Sequence, residues 1–235
     1  MKSTNLVGAL LLAIGLLALG LCIRSGLNSF STRDRVVAVR GLSEREVKAN
    51  KVTWPVVYKE VGNQLPAIYD RINATNATII NFLTSNGITK EEISVNAPDI
   101  VDLQADRYNN QQALSYRYNV TSVITVTSAN VDKVRELINR QAELLKDGIA
   151  ITAGDYNYRT IYEYTDLNSI KPDMIADATK NAREAAKKFA DDSDSKIGKI
   201  KDAQQGQFSI DDRDPYTPYI KKVRVVTYLN YYLED

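Results

Sequence analysis

Histidine is absent from this chain, and cysteine occurs once, at Cys22. The first absence removes the side chain that most often moves protons near neutral pH, and the commonest zinc ligand. The second leaves no disulfide, no cysteine-based metal site and no Cys–His nucleophile pair. An excess of one charge is also lacking. Beyond Ile23 there are 29 basic and 29 acidic residues, Lys2 being the one basic residue before that point. A neutral body argues against a nucleic-acid partner, because phosphate binding needs surplus Lys and Arg to release counterions. The 11 glycines are scattered, so no glycine-rich phosphate loop forms. No motif supports a Ser–Lys nucleophile pair. The expectation is a protein that is not an enzyme and that carries no cofactor and no metal.

Acidic residues cluster at Asp191-Asp192-Ser193-Asp194 and at Asp211-Asp212-Arg213-Asp214. A calcium loop wants oxygen ligands at positions 1, 3 and 5 and Gly at 6. Counted from Asp192, position 5 is Lys196 and Gly198 falls at 7. The clusters therefore read as a solvated helix end and a polar turn.

What the chain does have is an uncharged run over residues 6–23, with Leu6, Leu11, Leu16 and Ile23 along it. Its 18 residues span roughly 27 Å as a helix, close to the hydrocarbon thickness of a bilayer. A cleaved signal has a shorter apolar region and a small-x-small cleavage site. Neither is present at Leu21-Cys22-Ile23-Arg24. A lipoprotein signal would place a small residue before Cys22, where Leu21 stands. A retained transmembrane anchor is the reading; signal cleavage and lipidation are its alternatives. Orientation is contested: Arg24, Arg33, Arg35 and Arg40 follow the run, which by the positive-inside rule holds the domain in the cytoplasm. Against this, the tail before the run is very short, and a first apolar segment commonly leads a long domain across.

Three segments follow: 1–24 as anchor or signal, 25–34 as polar linker, 35–235 as the folded part. That part is long enough for one large domain or two intertwined lobes. Residues 35–40 read as a strand ended by Gly41. Residues 51–61 are β-rich, and Pro55 sits at an edge or bulge because it lacks a ladder donor. Leu65, Ile68, Ile72, Ile79 and Leu83 repeat at helical spacing, and Gly87 stops that helix. Residues 99–114 read as a loop or irregular hairpin arm. Residues 116–127 alternate as a strand. A second helix is expected over 131–146 with Val131, Val134, Ile138 and Leu145 on one stripe, and a third over 172–190 with Pro172 in its first turn. Short strands are expected at 93–97, 156–164, 197–200 and 207–210, and a long last one at 219–233. The class is α+β: mainly antiparallel sheet with about three amphipathic helices packed on one face, preceded by one N-terminal transmembrane helix.

Tyrosine outnumbers phenylalanine by 14 to 4. Ordinary half-buried strand residues account for much of this. A subunit interface or an aromatic ligand site are the functional readings. Tyr228 and Tyr232 on the last strand are the candidate interface, on the expectation that this strand is an open sheet edge.

The stretch from Ile175 to Ala190, with Ala178, Ala182 and Ala190 spaced between charges, resembles the alanine-rich helix of the SIMPL-domain family, which includes periplasmic immunogenic proteins. Gly198-Lys199-Ile200 resembles the family's following strand start. Val39-Arg40-Gly41 and Val47-Lys48-Ala49 resemble its opening motif, with Ser43 where the family has a second Gly and Asn50-Lys51 where it has Pro-Asp. Residues 118–127 and the helix after them resemble its central strand–helix unit. The resemblance implies an exported cell-envelope protein of α+β fold, no catalytic residues, ring-like homo-oligomers in some members and a link to oxidative-stress tolerance in others. It favours export over the charge-based orientation. The expected protein is anchored in the bacterial inner membrane with its domain in the periplasm, or secreted there after cleavage. Partners are the membrane and copies of itself. A ligand-binding or sensor module with a tyrosine-lined site is the alternative function.

Overall fold

The structure, a computed structural model, describes residues 8, 12–24, 35–105, 115–152 and 156–234. Residues 12–24 form a helix, α1. After it come β1 (Val36–Lys48), β2 (Lys51–Gly62), α2 (Leu65–Ser85), β3 (Ile93–Val95), β4 (Asp99–Asp102), β5 (Tyr118–Ser128), α3 (Val131–Arg140), β6 (Ile161–Glu163), α4 (Leu167–Asp192), β7 (Lys196–Gln205), β8 (Ser209–Asp212) and β9 (Ile220–Glu234). The α+β expectation is met. The chain divides into two compact units: unit 1 is Met1–Arg45, Asn168–Ser209 and Val223–Asp235, and unit 2 is Glu46–Leu167 and Ile210–Lys222.

In unit 2 the sheet order is β3-β5-β2-β6, with β4 also on β5. β2 and β5 run antiparallel from Val52 opposite Ser128 to Gly62 opposite Tyr118. Alternation sends Val52, Trp54, Val56 and Tyr58 of β2 and Val120, Ile124 and Val126 of β5 to one face. There they meet Ile68, Ile72, Ile79 and Leu83 of α2 and Val131, Val134 and Leu137 of α3 in one buried cluster. The Tyr58 hydroxyl donates to Asn76 Oδ1 at 2.7 Å, with the Ile72 carbonyl at 3.1 Å. A buried phenol needs such a partner, and burial pushes its pKa up.

Two local expectations change here. The second helix is α-helical only to Arg140 and tightens into a 3-10 helix over Gln141–Asp147. The buried stripe is Val131, Val134, Leu137 and Leu144; Ile138 packs against it only partly buried, and Leu145 is 60% exposed. The stretch expected as a loop or hairpin arm contributes strand β4 against β5.

In unit 1, β9 lies between β1 and β7. The bond from Leu233 N to Arg35 O joins the start of β1 to the end of β9, and Glu44 pairs with Arg224 further along, so these strands are antiparallel. Val39, Leu229 and Tyr231 face α4 and pack with Ala182 and Ala186. Met174, Ala178, Ala182, Ala186 and Ala190 are all fully buried. The small-residue stripe lets α4 close onto β1, where Asn181 Nδ2 donates to the Leu42 carbonyl at 2.8 Å. Gly41 lies under this contact, inside β1, and does not end the strand. α4 also begins five residues earlier than expected, at Leu167, and carries Pro172 within it.

One larger expectation is not carried by the described residues, and another is corrected. Among the described residues no helix is long and apolar enough to cross a membrane. Of the run, residues 8 and 12–23 are described, as helix; Leu16 and Ile23 lie on it and are exposed, and Leu6 and Leu11 lie outside the described residues. Nor is β9 an edge. It is paired on both sides, so Tyr228 and Tyr232 cannot recruit a further strand through its backbone. The outer strands of this sheet are β1, β7 and β8, each paired with β9. β7 is guarded by two register shifts and by Lys196, Lys199 and Lys201.

Candidate functional site

Unit 2 contains an open groove of about 920 Å³. It forms where the pairing on one side of β2 is interrupted. β6 covers Lys51 to Thr53, and the chain returns at Tyr58, opposite Ile151, with Thr152 N donating to the Val57 carbonyl at 2.7 Å. Pro55 sits in the interval. Its backbone points to the same side as that of Val57, two residues on, so the missing N–H falls where no strand is paired. The edge expectation for Pro55 holds in this local sense, although β2 has neighbours on both sides.

Trp54, Pro55, Ile138 and Ile151 supply the apolar part of the groove, and Gln141, Thr152, Tyr158 and Thr160 its neutral polar part. The rim is the turn between β8 and β9, Asp212 to Pro218, together with Arg159. Asp214 organises this turn. Its carboxylate accepts from the Thr217 hydroxyl, from Arg213 Nε at 3.1 Å, and from the backbone N–H of Tyr216 and of Thr217, each at 2.8 Å. Arg213 reaches on to Glu46 Oε2 at 3.4 Å. The result is a latched turn that holds Tyr216 out, 91% exposed. Asp212 binds Lys221, whose side chain is nearly buried. The second acidic cluster is thus a set of internal latches.

The Thr217 hydroxyl, and after it the Arg213 guanidinium, hold the Asp214 carboxyl down to about 2, from an ordinary 3.8. A depressed carboxyl pKa contributes stability above the unfolded value that is lost as pH falls through the folded one. The latch should therefore stay closed to below pH 3 and open only as pH falls toward 2. Carbon-detected NMR titration should place the Asp214 midpoint near 2, and Thr217→Val should move it up. A midpoint near 4 in the unmodified chain would mean the turn is not latched this way.

A second aromatic group lies in the same unit. Arg135 stacks 3.4 Å from the Tyr219 ring centre, and Tyr162 meets Tyr219 edge-on at 6.2 Å. Burial raises the pKa of Tyr162.

In unit 1 the candidate interface residues are together, but on a sheet face and not an edge. Residues of β9 alternate: Val223, Val225, Leu229 and Tyr231 are buried toward α4, and Arg224, Val226, Tyr228, Asn230 and Tyr232 point away. Across on β1, Val36, Ala38, Arg40, Leu42 and Glu44 share that open face. Arg40 lies over the Tyr228 ring at 5.1 Å, and Lys201 of β7 lies 5.7 Å from the Tyr232 ring. Asn230 donates to both oxygens of Asp202, at 2.9 and 3.0 Å. The first acidic cluster is a helix end: Asp192 pairs with Lys188 one turn back, and Asp194 takes a positive φ of 51°.

Among the described residues no group of His, Cys, Asp and Glu is placed to hold a metal ion. Sequence reasoning missed the groove, because its lining comes from four separated stretches. The local signal was the turn Arg213-Asp214-Pro215-Tyr216-Thr217-Pro218, where an aspartate before a proline marks an Asx-type turn.

Residues 37–225 match a protein-family model described as SIMPL, a protein of unknown function (DUF541). The match covers most of both units, and the chain belongs to this family. Comparison with proteins of curated function gives no match.

Proposed function

We propose that this chain is a non-enzymatic protein of the bacterial cell envelope, held at the inner membrane by residues 6–23 with its two units on the periplasmic side. The uncharged run carries the reading. Eighteen consecutive residues without a charge, ending at Arg24, are costly to leave in water and long enough for a bilayer core. Membership of the SIMPL family agrees with an exported domain, and a part in oxidative-stress tolerance enters only by that kinship. The alternative within this reading is release into the periplasm after cleavage.

The test is extraction and mass. The full chain, made in a bacterial host, should stay with membranes through high-salt and alkaline carbonate washes, because apolar burial does not depend on ionic strength. Its intact mass should include residues 6–23. A mature N-terminus beyond Ile23 would establish cleavage and overturn the anchor, and a lipid adduct on Cys22 would replace it with a different one.

The groove of unit 2 favours a second reading, a ligand-binding or sensor module, because apolar Trp54, Pro55, Ile138 and Ile151 line it together with polar Gln141, Thr152, Tyr158 and Thr160.

A further inference from the structure

We propose that the groove of unit 2 binds a neutral sugar. This deepens the ligand-binding reading of the groove and rests on it. The volume, about 920 Å³, is that of a small-molecule site. The lining selects the class of ligand.

Charged ligands are disfavoured first. The charged residues that line the groove are Arg159, Asp212, Arg213 and Asp214. Asp212 is paired with Lys221, and Arg213 with Asp214 and Glu46. Arg159 is engaged as well. A charged ligand would leave water and meet no uncommitted opposite charge. Purely apolar ligands are disfavoured next. Among the described residues no hydrogen bond engages the side chains of Gln141, Thr152, Tyr158 and Thr160. An apolar occupant would strip water from all of them and return nothing.

The interrupted ladder decides among the neutral polar ligands that remain. An extended peptide takes its hydrogen bonds along a strand edge. On β2 that line is occupied on both sides of Pro55, by β6 as far as Thr53 and by Ile151 and Thr152 from Val57 onward. The interval has room for a compact group and not for a strand. It presents a carbonyl without an N–H, because Pro55 has none. The group that meets this carbonyl must donate a hydrogen bond, as a hydroxyl does. A neutral sugar carries hydroxyls in several directions, for the Pro55 carbonyl, the Gln141 amide and the Thr152, Tyr158 and Thr160 hydroxyls. Its C–H face has Ile138 and Ile151 to lie against.

The experiment is methyl NMR of the full chain with isoleucine δ1 carbons labelled, in dodecylphosphocholine micelles, which carry no sugar. The probes are glucose, galactose, maltose and N-acetylglucosamine, the charged sugars glucosamine and glucuronate, and N-acetylleucine amide as a neutral peptide. At least one neutral sugar should shift the Ile138 and Ile151 methyls saturably, and the charged sugars should bind about tenfold or more weakly than it does. Gln141→Leu with Thr160→Val should weaken that sugar by about tenfold or more, whereas Thr160→Ser should not. The core methyls of Ile68 and Ile79 should keep their positions throughout. Charged sugars that bind as well as neutral ones, a double variant that binds unchanged, or shifts with N-acetylleucine amide alone would overturn the sugar and leave the ligand-binding reading standing. No saturable shift with any probe would overturn both.

Discussion

Gly41→Ala should lower the stability of unit 1 by about 3 kcal/mol or more, at or above the upper end of the usual overpacking range. A Cβ at this position would stand 1.8 Å from the Ala178 carbonyl oxygen, 2.5 Å from the Ala182 nitrogen and 2.8 Å from the Ala182 Cβ. Two of these atoms are helix backbone and cannot rotate away. Relief requires α4 to lift from β1, which breaks the Asn181–Leu42 bond and opens the seam of Ala178, Ala182 and Ala186. Ala182→Gly should not rescue the variant, because the contact with the Ala178 oxygen remains. Ala182→Leu, which overpacks the same seam from the helix side, should cost about 1–3 kcal/mol. Urea denaturation of the full chain checks both, following the amides of α4. An unchanged midpoint for Gly41→Ala would show that helix and strand are not this close.

Ile124→Ala should destabilise unit 2 by about 2–5 kcal/mol, the cost of the lost apolar contacts plus the cavity left behind. Ile124 has no exposed surface, and on β5 it lies between Val56 of β2 and Val95 of β3. The strands on both sides are fixed by their ladders, so the site has little freedom to collapse. Hydrogen exchange of the β2 and β5 amides is the measurement. Loss of protection across both strands is expected; a change confined to residue 124 and its neighbours would mean that this core repacks more readily than its geometry suggests.

Where the signal was local, the sequence was readable. The spacing of Ile68, Ile72, Ile79 and Leu83 gave α2 and its buried face, and Gly87, with φ of 91°, stops it as expected. Alternation along β9 separated Val223, Val225, Leu229 and Tyr231 from Arg224, Tyr228 and Asn230 correctly. The alanine stripe of α4 announced a close helix–sheet contact. What the stripe could not announce was its counterpart. Gly41 read as a strand terminator because glycine commonly ends strands, and the atoms that require it lie on α4, far along the chain. The same gap misplaced the tyrosines. Alternation puts Tyr228 and Tyr232 on one face, but only the pairing of β9 with both β1 and β7 shows that the face, and not an edge, is what they offer. Along 131–147 the error was one of phase: Ile138 and Leu145 were placed on the stripe where their neighbours Leu137 and Leu144 are the buried residues, and an apolar residue at each of these positions leaves the sequence two stripes of equal spacing. The groove was hidden more deeply, since Pro55, Ile151, Thr160 and Pro218 share no local pattern at all.

The central claim, an envelope protein anchored by residues 6–23 and facing the periplasm, is tested most directly by protease added to spheroplasts that carry the full chain. The account predicts that external protease removes both units while the inner membrane stays sealed, leaving a membrane-held fragment that contains Leu6, Leu11, Leu16 and Ile23. Full protection of the chain until the membrane is broken would place the units in the cytoplasm and contradict the account.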